Sequence, residues 1–401
     1  MLRAMNGRPD LTLILKRDAA KAVAAGKPWV FKGDTEWSSA CDIADPGTLV
    51  TLADPKMVPM AVGYLNPRSN LAVRVLSTNP KTVIDDRWFE DKFARALKKR
   101  DKLFDAPFYR LVHAEGDGLP GLVIDRYGDI LVAQVTTAGM EWLTPVWLPV
   151  IDRLLSPATI VMDLSTSARL SEGLELEKAM IGKPVEGEID VPENGVIYRA
   201  DVVEGQKTGW YFDQRANRRT VMERSAGTTM LDLYAHTGAF GLAAAKAGAR
   251  EVTIVDRSAP AIDKAREAAE RNGLAHLCTF EVAEAYDWLD AAAAKGRTFE
   301  IVSADPPPFI KNRTMKAAGM AGYEKLAVKL GPLIAKGGIL AFAACSHHAS
   351  PGALKKAITG GLAKAGRKAT LIHEAGADKD HPVHPQLPET RYLTFLMFEL
   401  D

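Results

Sequence analysis

The sequence predicts an α/β protein whose C-terminal half forms a doubly wound, Rossmann-like parallel sheet. From about residue 218, short apolar runs alternate with alanine-rich helical stretches, which is typical of parallel strands joined by helices. The run at 230–233 turns through Gly238 into a helix, and the next strand ends at Asp256. An acid in that position can bind ribose hydroxyls. We therefore expect this half to hold a nucleoside-bearing cofactor.

Composition narrows the class of protein. At 401 residues and 47% apolar content, the chain is long enough for two or three domains with sizeable cores. No run of 18 apolar residues and no signal-peptide block before Asp18 is present, so we expect neither a membrane span nor secretion. Three widely spaced cysteines predict a reducing cytoplasm without disulfides or zinc knuckles. The net charge of +1 restricts nucleic-acid binding to a local patch.

Two smaller domains are predicted before the α/β domain. Within residues 1–77, five short alternating segments bounded by turn residues, with one helix, predict a small β-barrel. Residues 78–195 predict an α+β domain that contains a helix capped by Asp85 or Asp86 and a hairpin turning at Tyr127-Gly-Asp. The α/β domain then occupies residues 196–401.

The elements of the α/β domain are expected in a fixed order. A hairpin of 196–203 with 209–212 opens it, and the last two strands lie near 369–374 and 391–399. Between them we expect a helix at 215–225, a strand at 229–233, a helix at 239–247, a strand at 251–255, a helix at 259–271, strands at 278–282 and 299–304, a helix at 315–335, a strand at 338–344 and a helix at 352–365.

The capped helix of the middle domain has one strongly basic face. Such a run is usually a solvated helix surface. The more specific hypothesis is that its side chains contact phosphates. In the first domain, Trp29, Phe31 and Trp37 could stack on bases or fill the barrel. The basic side chains of the helix are Lys92, Arg95, Lys98, Lys99, Arg100 and Lys102.

The glycine pattern argues against a dinucleotide cofactor. An NAD fingerprint needs Gly-x-Gly-x-x-Gly, and the aligned stretch here begins with His236 in place of the first glycine. A mononucleoside sulfonium needs no pyrophosphate cradle, so one glycine suffices. Ligands of such sheets bind at the carboxyl ends of the strands. The side chains expected to meet there are Asp232, Asp256, Glu284, Asp305 and Cys345.

The spacing of these acids resembles that of class I S-adenosylmethionine-dependent methyltransferases. More closely, three C-terminal segments resemble the rRNA large subunit methyltransferase I family, whose PUA domain and middle-domain signature are also matched. The resemblance implies S-adenosylmethionine as cofactor, large-subunit rRNA as partner, and methylation of cytosine at carbon 5. The matching segments are 27–31 and 63–69 for the PUA domain, 116–128 for the middle domain, and 205–215, 305–309 and 344–346 for the methyltransferase domain.

The resemblance also assigns cofactor contacts. Phe212, Asp213 and Arg215 match the segment that closes over the cofactor, and Glu284 stands where relatives usually have Asp before the adenine-binding turn. A helix cap is the structural alternative for Asp256. The cofactor-binding candidates are Phe212, Asp213, Arg215, Asp232, Gly238, Asp256, Arg257, Glu284, Ala285 and Asp305.

Cytosine methylation needs a cysteine beside the methyl donor. Carbon 5 is a poor nucleophile until a thiolate adds to carbon 6, and Cys345 follows an apolar strand into the expected site. Asp305 could orient the cytosine, act as the base, or only cap its turn. His347 and His348 could tune the thiol or face solvent. His381 and His384 lack a ligand set at metal-site spacing, so no metal is expected.

Three alternatives remain open from the residues alone. The nearest is a methyltransferase acting on another RNA atom, such as a guanine nitrogen. An NAD-linked oxidoreductase and a non-catalytic RNA-binding scaffold are the others. Expected partners are RNA and, as an option, a second copy of the chain.

Overall fold

The computed structural model describes residues 7–9, 11–310, 313–346 and 348–401. The chain forms two compact units, each with its own core. The first contains the chain up to Glu188, Asp201–Trp210 and Lys379–Thr390, and the second contains Ile189–Ala200, Tyr211–Asp378 and Arg391–Asp401. Among the described residues, no helix has the length and apolar character needed to cross a bilayer.

The first unit begins with a mixed six-stranded sheet in the order β2-β6-β5-β4-β1-β3. Alternate strand residues such as Leu13, Leu15, Val50 and Leu52 are buried, as the sequence alternation predicts. The expected five strands are joined by a sixth short one, Thr35–Glu36. The elements are β1 (Leu11–Leu15), α1 (Arg17–Ala24), β2 (Trp29–Val30), β3 (Thr35–Glu36), α2 (Ser39–Asp42), β4 (Leu49–Ala53), β5 (Pro59–Leu65) and β6 (Val73–Ser77).

A five-stranded sheet in the order β11-β10-β9-β8-β7 follows. The predicted hairpin at Tyr127 is confirmed as β8 with β9. The Asp85 carboxylate accepts a hydrogen bond from the Trp88 N–H at 3.0 Å, so it caps α3 as expected. Residues 138–155 form two helices that meet at Leu143. The elements are α3 (Asp86–Asp101), β7 (Phe108–His113), β8 (Leu122–Tyr127), β9 (Ile130–Val135), α4 (Ala138–Trp142), α5 (Thr144–Leu155), β10 (Thr159–Leu164) and β11 (Glu177–Gly182).

The second unit opens with a hairpin that corrects the sequence prediction. Strand β12 (Ile189–Glu193) pairs with β13 (Val196–Ala200), so 196–203 does not pair with 209–212. The connection is Asn194-Gly195, whose φ angles of 50° and 78° are those of a two-residue hairpin turn. An Asn-Gly pair between alternating segments is a strong local hairpin signal, and it explains the observed pairing.

The remaining strands form one seven-stranded sheet in the order β16-β15-β14-β17-β18-β20-β19. Strands β14 to β18 are mutually parallel, and β20 runs antiparallel to both of its neighbours. The elements are α6 (Arg215–Met222), β14 (Thr229–Leu233), α7 (Ala239–Lys246), β15 (Glu251–Asp256), α8 (Ala259–Arg271), β16 (Cys278–Val282), α9 (Ala285–Ala294), β17 (Phe299–Ala304), α10 (Lys316–Leu330), β18 (Ile334–Cys345), α11 (Pro351–Lys364), β19 (Ala369–Ala375) and β20 (Leu393–Leu400).

Strand order reverses between β14 and β17, and this reversal locates the site. Successive connections on the two sides of that point run to opposite faces of the sheet, which opens a crevice at the carboxyl ends of the strands. The predicted doubly wound α/β architecture is therefore present in the second unit.

Candidate active site

The five side chains predicted to meet at one edge of the sheet all lie there. Asp232 is the penultimate residue of β14, and Asp256 and Cys345 are the last residues of β15 and β18. Glu284 and Asp305 follow β16 and β17. Because these strands are parallel, their carboxyl ends share an edge.

In the loop after β14, every second residue has a left-handed backbone conformation. Tyr234, His236 and Gly238 have φ angles of 59°, 49° and 72°. Three positions of this loop thus adopt the left-handed conformation, and two of them carry side chains. Each non-glycine residue there costs about 1–2 kcal/mol. Such strain is found where function fixes a loop.

Gly238 and Gly241 let this loop and α7 lie close to the sheet. A Cβ on Gly238 would meet the Ala265 Cβ at 3.0 Å, and one on Gly241 would meet the Ile254 Cγ1 at 2.9 Å. The positive φ adds a second constraint at Gly238. These two glycines therefore fix where the loop meets the edge of the sheet.

Asp232 is a buried carboxylate. Its Oδ2 accepts a hydrogen bond from the Gly241 N–H at 2.7 Å. Burial raises the pKa of Asp232 to about 7, the Gly241 bond opposes this rise, and the charges of Asp305 and Asp256 add to it. This carboxylate is therefore placed where a positively charged ligand group would stabilise its ionised form.

Asp256 is held in a fixed orientation by the backbone. The His236 N–H donates to its Oδ2 and the Ser258 N–H donates to its Oδ1, each at 2.9 Å. Each carboxylate oxygen can accept a further hydrogen bond. The His236 ring lies edge-on to Tyr211, with centroids 5.7 Å apart, and burial lowers the pKa of His236. The neutral imidazole therefore supports the loop that orients Asp256.

Of the next three cofactor-binding candidates, two are exposed. Glu284 is exposed immediately before α9, Ala285 is buried as its first residue, and Arg257 is exposed after β15. Burial raises the pKa of Tyr234, and the charges of Tyr286 and Glu284 add to that rise. The charge of Glu284 therefore acts on the strained loop, and its contact with adenine stays a prediction.

The segment before α6 is built into the interior of the second unit. Phe212 and Asp213 are buried, and the Tyr392 O–H donates to the Asp213 Oδ2 at 2.6 Å. The Arg215 guanidinium lies 5.0 Å from the Phe212 ring centroid and 3.7 Å from the Asp378 Oδ2. These predicted cofactor contacts belong to a packed, hydrogen-bonded segment.

Gln214 is a site residue that sequence reasoning missed. Its side-chain N–H donates to the Asp305 Oδ2 at 2.8 Å, and the Asn217 side-chain N–H donates to the Gln214 Oε1 at 2.6 Å. Asn217 therefore orients the Gln214 amide, and this amide fixes the orientation of the Asp305 carboxylate. The sequence signal is the Asp-Gln-Arg run, but a neutral amide between two charged residues does not by itself indicate a site residue.

The loop at Asp305–Phe309 lies against two glycines of α10. A Cβ on Gly319 would lie 2.3 Å from the Ile310 Cγ1 and 2.8 Å from the Phe309 carbonyl oxygen. A Cβ on Gly322 would lie 3.0 Å from the Phe309 ring. The Gly-x-x-Gly spacing puts both glycines on one helix face, so the helix sets the position of the loop.

Gly319→Ala is expected to lower the free energy of unfolding by about 1–3 kcal/mol, because the new methyl must displace the loop backbone. The rate of the reaction at this edge of the sheet should fall with it, since Asp305 begins the displaced loop. Urea unfolding and a single-turnover assay measure both effects. Gly352→Ala is the matched control, since no atom lies within 4 Å of the added Cβ. Unchanged stability and rate in Gly319→Ala would show that the loop is not set by α10.

Cys345 differs from the other two cysteines by its position. It is half-buried at the carboxyl edge, whereas Cys41 is buried in the first unit. Burial raises the pKa of Cys278 to about 12, so that thiol is unreactive at neutral pH. Only Cys345 among them lies beside the Asp305 loop.

The predicted histidines lie in different parts of the chain. His347 lies outside the described residues. The His348 N–H donates to the Ser346 Oγ at 3.3 Å, and its tuning of the thiol stays a prediction. His381 is buried in the first unit, where its Nδ1 lies 2.7 Å from the Asp380 Oδ1.

The family comparisons agree with this geometry. A model of S-adenosylmethionine-dependent methyltransferases matches residues 174–398, which is more than half of the chain. A PUA-like domain model matches residues 13–78. The predicted fold class, with an N-terminal PUA-like domain and a C-terminal methyltransferase domain, is thereby confirmed. The boundaries at 77 and 195 stay predictions.

Relatives are similar over nearly the whole chain. A ribosomal RNA large subunit methyltransferase of Deinococcus radiodurans is 32% identical over 98% of both chains. A ribosomal RNA large subunit methyltransferase I of Cronobacter sakazakii is 30% identical over 96% of this chain and 98% of its own length. An S-adenosylmethionine-dependent methyltransferase structure from Streptococcus mutans shares the fold, with a TM-score of 0.82 at 21% identity over 97% of this chain and all of that one.

Proposed function

We propose that this chain, which belongs to the family of S-adenosylmethionine-dependent rRNA large subunit methyltransferases, methylates carbon 5 of a cytosine in large-subunit rRNA through a Cys345 adduct. One observation carries the cytosine assignment. Cys345 closes the strand next to the one that leads into Asp305, so a thiol and a held carboxylate share the carboxyl edge. A methyltransferase acting on a ring nitrogen needs no such thiol.

The residues at the β14 loop fit S-adenosylmethionine. Among the described residues, only the Gly241 N–H donates a hydrogen bond to the buried Asp232, which leaves acceptor capacity for an ammonium group. Asp256 is oriented to accept from ribose hydroxyls. When bound, the cofactor supplies an electrophilic methyl group on a sulfonium. Asp232 and Asp256 would hold its amino acid and ribose parts.

Cys345 starts the proposed reaction as a thiolate. Its sulfur forms a bond to cytosine carbon 6, and the electron pair of the 5,6 double bond moves to make carbon 5 nucleophilic. Carbon 5 bonds to the methyl group as the methyl–sulfonium bond breaks. A base then takes the carbon 5 proton, the double bond re-forms and the Cys345 thiolate leaves. The sequence is redox-neutral and needs no further reactant.

Asp305 would contact the edge of the cytosine ring. Because the Gln214 amide donates to its Oδ2, the carboxylate can present its remaining acceptor capacity in one direction. Held in this way, it can orient the exocyclic amine while Cys345 approaches carbon 6. The target base must leave its stack to reach both groups, which is easiest in single-stranded or opened RNA.

RNA that contains 5-fluorocytidine tests the mechanism directly. Fluorine at carbon 5 cannot leave as the proton does, so the adduct should persist on a denaturing gel in the presence of S-adenosylmethionine. Cys345→Ala should form no adduct, and unmodified RNA should yield 5-methylcytidine by mass spectrometry. Absence of an adduct with the native protein, or a methylated guanine as the product, would contradict the proposal.

The RNA backbone would contact the exposed face of α3. Lys92, Arg95, Lys99 and Lys102 follow one another at spacings of three or four residues, so they share a side of the helix. Burial lowers the pKa of Lys92 to about 8, and the charges of Arg95 and Lys99 lower it further against the opposing effect of Asp117. Burial is the main cause of this shift, and a bound phosphate would offset the smaller contribution of the two neighbouring positive charges.

Replacing Arg95 and Lys99 together with glutamate is expected to weaken rRNA binding about tenfold or more at 0.1 M salt. The slope of log K against log salt should fall by roughly 2, about one for each lost phosphate contact. Filter binding across a salt series measures both. Lys295→Glu with Lys356→Glu is the control, because these exposed lysines of the second unit give the same change in net charge. Equal losses in the two double variants would mean that net charge alone acts.

A further inference from the structure

A chain of hydrogen bonds leads from the backbone of the second unit to the carboxylate of Asp305. The Asn217 side-chain NH2 group donates to the Gly376 carbonyl at 3.1 Å and to the Gln214 Oε1 at 2.6 Å. The Gln214 side-chain NH2 group in turn donates to the Asp305 Oδ2 at 2.8 Å. Gln214 and Asn217 are only 2% and 1% exposed, so these bonds lie in an environment that strengthens them.

The direction of this chain is set at its backbone end. A carbonyl oxygen can only accept, so Asn217 must turn its NH2 group, and not its Oδ1, toward Gly376. The second hydrogen of that group needs an acceptor, so Gln214 presents its Oε1 to Asn217 and its NH2 group to Asp305. The Asn217 Oδ1 is buried and has no hydrogen-bond partner among the residues that the structure describes. Such an oxygen calls for an explanation, and the orientation imposed on Gln214 supplies one.

The elements that carry this chain are held in place. Gly376 directly follows β19, and a Cβ on it would lie 3.2 Å from the Leu393 carbonyl oxygen of β20. Arg218, next to Asn217 on α6, forms a buried ion pair with Glu193 of β12, with Nε 2.5 Å from Oε1 and Nη2 2.8 Å from Oε2. The carbonyl that sets the direction and the helix that carries Asn217 are therefore both fixed.

We infer that Gln214 and Asn217 are positioning residues that make the site specific for a base with an exocyclic amine, and so for cytosine over uracil. The inference rests on the proposed function, in which Asp305 contacts the edge of the base. Because Gln214 can only donate to the Asp305 carboxylate, it favours the ionised form, which accepts and does not donate. Cytosine presents an amine at carbon 4, whereas uracil presents a carbonyl oxygen there. The carboxylate therefore pairs with cytosine and repels uracil.

The cysteine chemistry would not by itself make this choice. Both pyrimidine rings have a 5,6 double bond, so a thiolate can add to carbon 6 of either and make carbon 5 nucleophilic. The base must then be recognised by its substituent at carbon 4. Sites that hydrogen-bond a substrate N–H reject an analogue without it by about 10⁴–10⁵-fold. Because Asp305 is half-buried, we expect a smaller preference for cytosine, about 10³-fold.

Gln214→Glu tests this inference with an isosteric change. The cytosine that the native protein methylates would be mapped in a large-subunit rRNA transcript, and a second transcript would carry uracil there. Rates of methyl transfer to both, with the product nucleosides identified by mass spectrometry, give the cytosine-to-uracil ratio. In the variant, two neighbouring carboxylates hold one proton between them, so the pair can donate as well as accept. The ratio should fall from about 10³ to about 10.

Asn217→Asp changes the direction of the chain one step further from the base. The new carboxylate can only accept, so Gln214 should turn its NH2 group toward it and its Oε1 toward Asp305. The ratio should again fall about 100-fold. The melting temperature should fall as well, because a carboxylate would lie against the Gly376 carbonyl. Both rates are measured on one protein, so lost stability lowers them together and leaves their ratio unchanged.

Gln134→Glu is the matched control. The Gln134 side-chain NH2 group donates to the Asp163 Oδ2 at 2.6 Å within the first unit. The variant therefore creates the same kind of carboxylate pair, with the same change in charge, among residues that have no proposed part in recognising the base. It should keep the native cytosine-to-uracil ratio.

The outcomes distinguish this inference from the proposed function. A product other than 5-methylcytidine from the native protein overturns both. If the native protein forms 5-methylcytidine, a ratio that stays near the native value in Gln214→Glu and Asn217→Asp overturns only the specificity role, and so does equal methylation of the two transcripts by the native protein. A fall in Gln214→Glu alone overturns the part of Asn217. A fall in both variants and not in Gln134→Glu supports the inference, since a merely structural role would lower both rates together.

Discussion

Replacing Cys345 with alanine is expected to lower the rate of methyl transfer to rRNA by at least about 10⁴-fold, in the range found when a covalent nucleophile is removed. Without the thiolate, carbon 5 of cytosine stays a poor nucleophile and binding alone cannot activate it. Affinity for S-adenosylhomocysteine should change little, because Asp232 and Asp256 remain in place. Single-turnover transfer of labelled methyl groups measures the rate, and calorimetry measures the affinity.

The chain provides its own controls for this substitution. Cys41→Ala and Cys278→Ala remove thiols that lie away from the carboxyl edge, so both should keep near-native rates. Cys345→Ser should be as inactive as the alanine variant, because a serine hydroxyl does not ionise near neutral pH. A Cys345→Ala rate within tenfold of native would exclude the adduct and favour chemistry at another RNA atom.

Local patterns predicted the architecture, whereas contacts between distant segments could not be predicted. Alternation of apolar runs with helical stretches was enough to place Asp232, Asp256 and Cys345 at one edge, since parallel strands impose that geometry. The hairpin at Asn194-Gly195 has a local signal, but the apolar segments at 196–203 and 209–212 predict a different pairing, which the structure does not have. Gln214, which holds Asp305 from 91 residues away, leaves no periodic trace.

Backbone conformation was the second limit of sequence reasoning. His236 departs from the glycine motif, yet it adopts the left-handed backbone that glycine would have supplied, and so does Tyr234. Side chains at such positions are strained in isolation, and the fold must hold them there.

Asp232→Asn is expected to make the protein more stable at pH 8 and weaker in binding S-adenosylhomocysteine. The pKa of Asp232 is raised to about 7 by burial, and an unfolded aspartate titrates near 3.9. Between these values the folded state binds more protons than the unfolded state, so the free energy of unfolding falls as pH rises from about 4 to 7. Asparagine carries no charge and can still accept the Gly241 hydrogen bond.

The advantage of the variant should therefore grow with pH and level off above pH 7. It should reach at most about 4 kcal/mol, which corresponds to roughly three pKa units. Urea unfolding at pH 5 and pH 8 measures this growth. Affinity should drop about 10–100-fold, since a charge-assisted hydrogen bond to the cofactor's ammonium group is lost. Calorimetric titration with S-adenosylhomocysteine measures that change.

Asp256→Asn is the control that separates the loss of a cofactor contact from the removal of a buried charge. Asp256 is half-buried and both of its oxygens accept backbone N–H bonds, so its amide variant should lose affinity without gaining stability. If Asp232→Asn proves less stable than native at pH 8, or its advantage does not grow with pH, the ionised Asp232 is a structural hydrogen-bond partner. Higher stability together with lower cofactor affinity in Asp232→Asn would instead mean that the site keeps an unfavourable buried charge because that charge binds the cofactor.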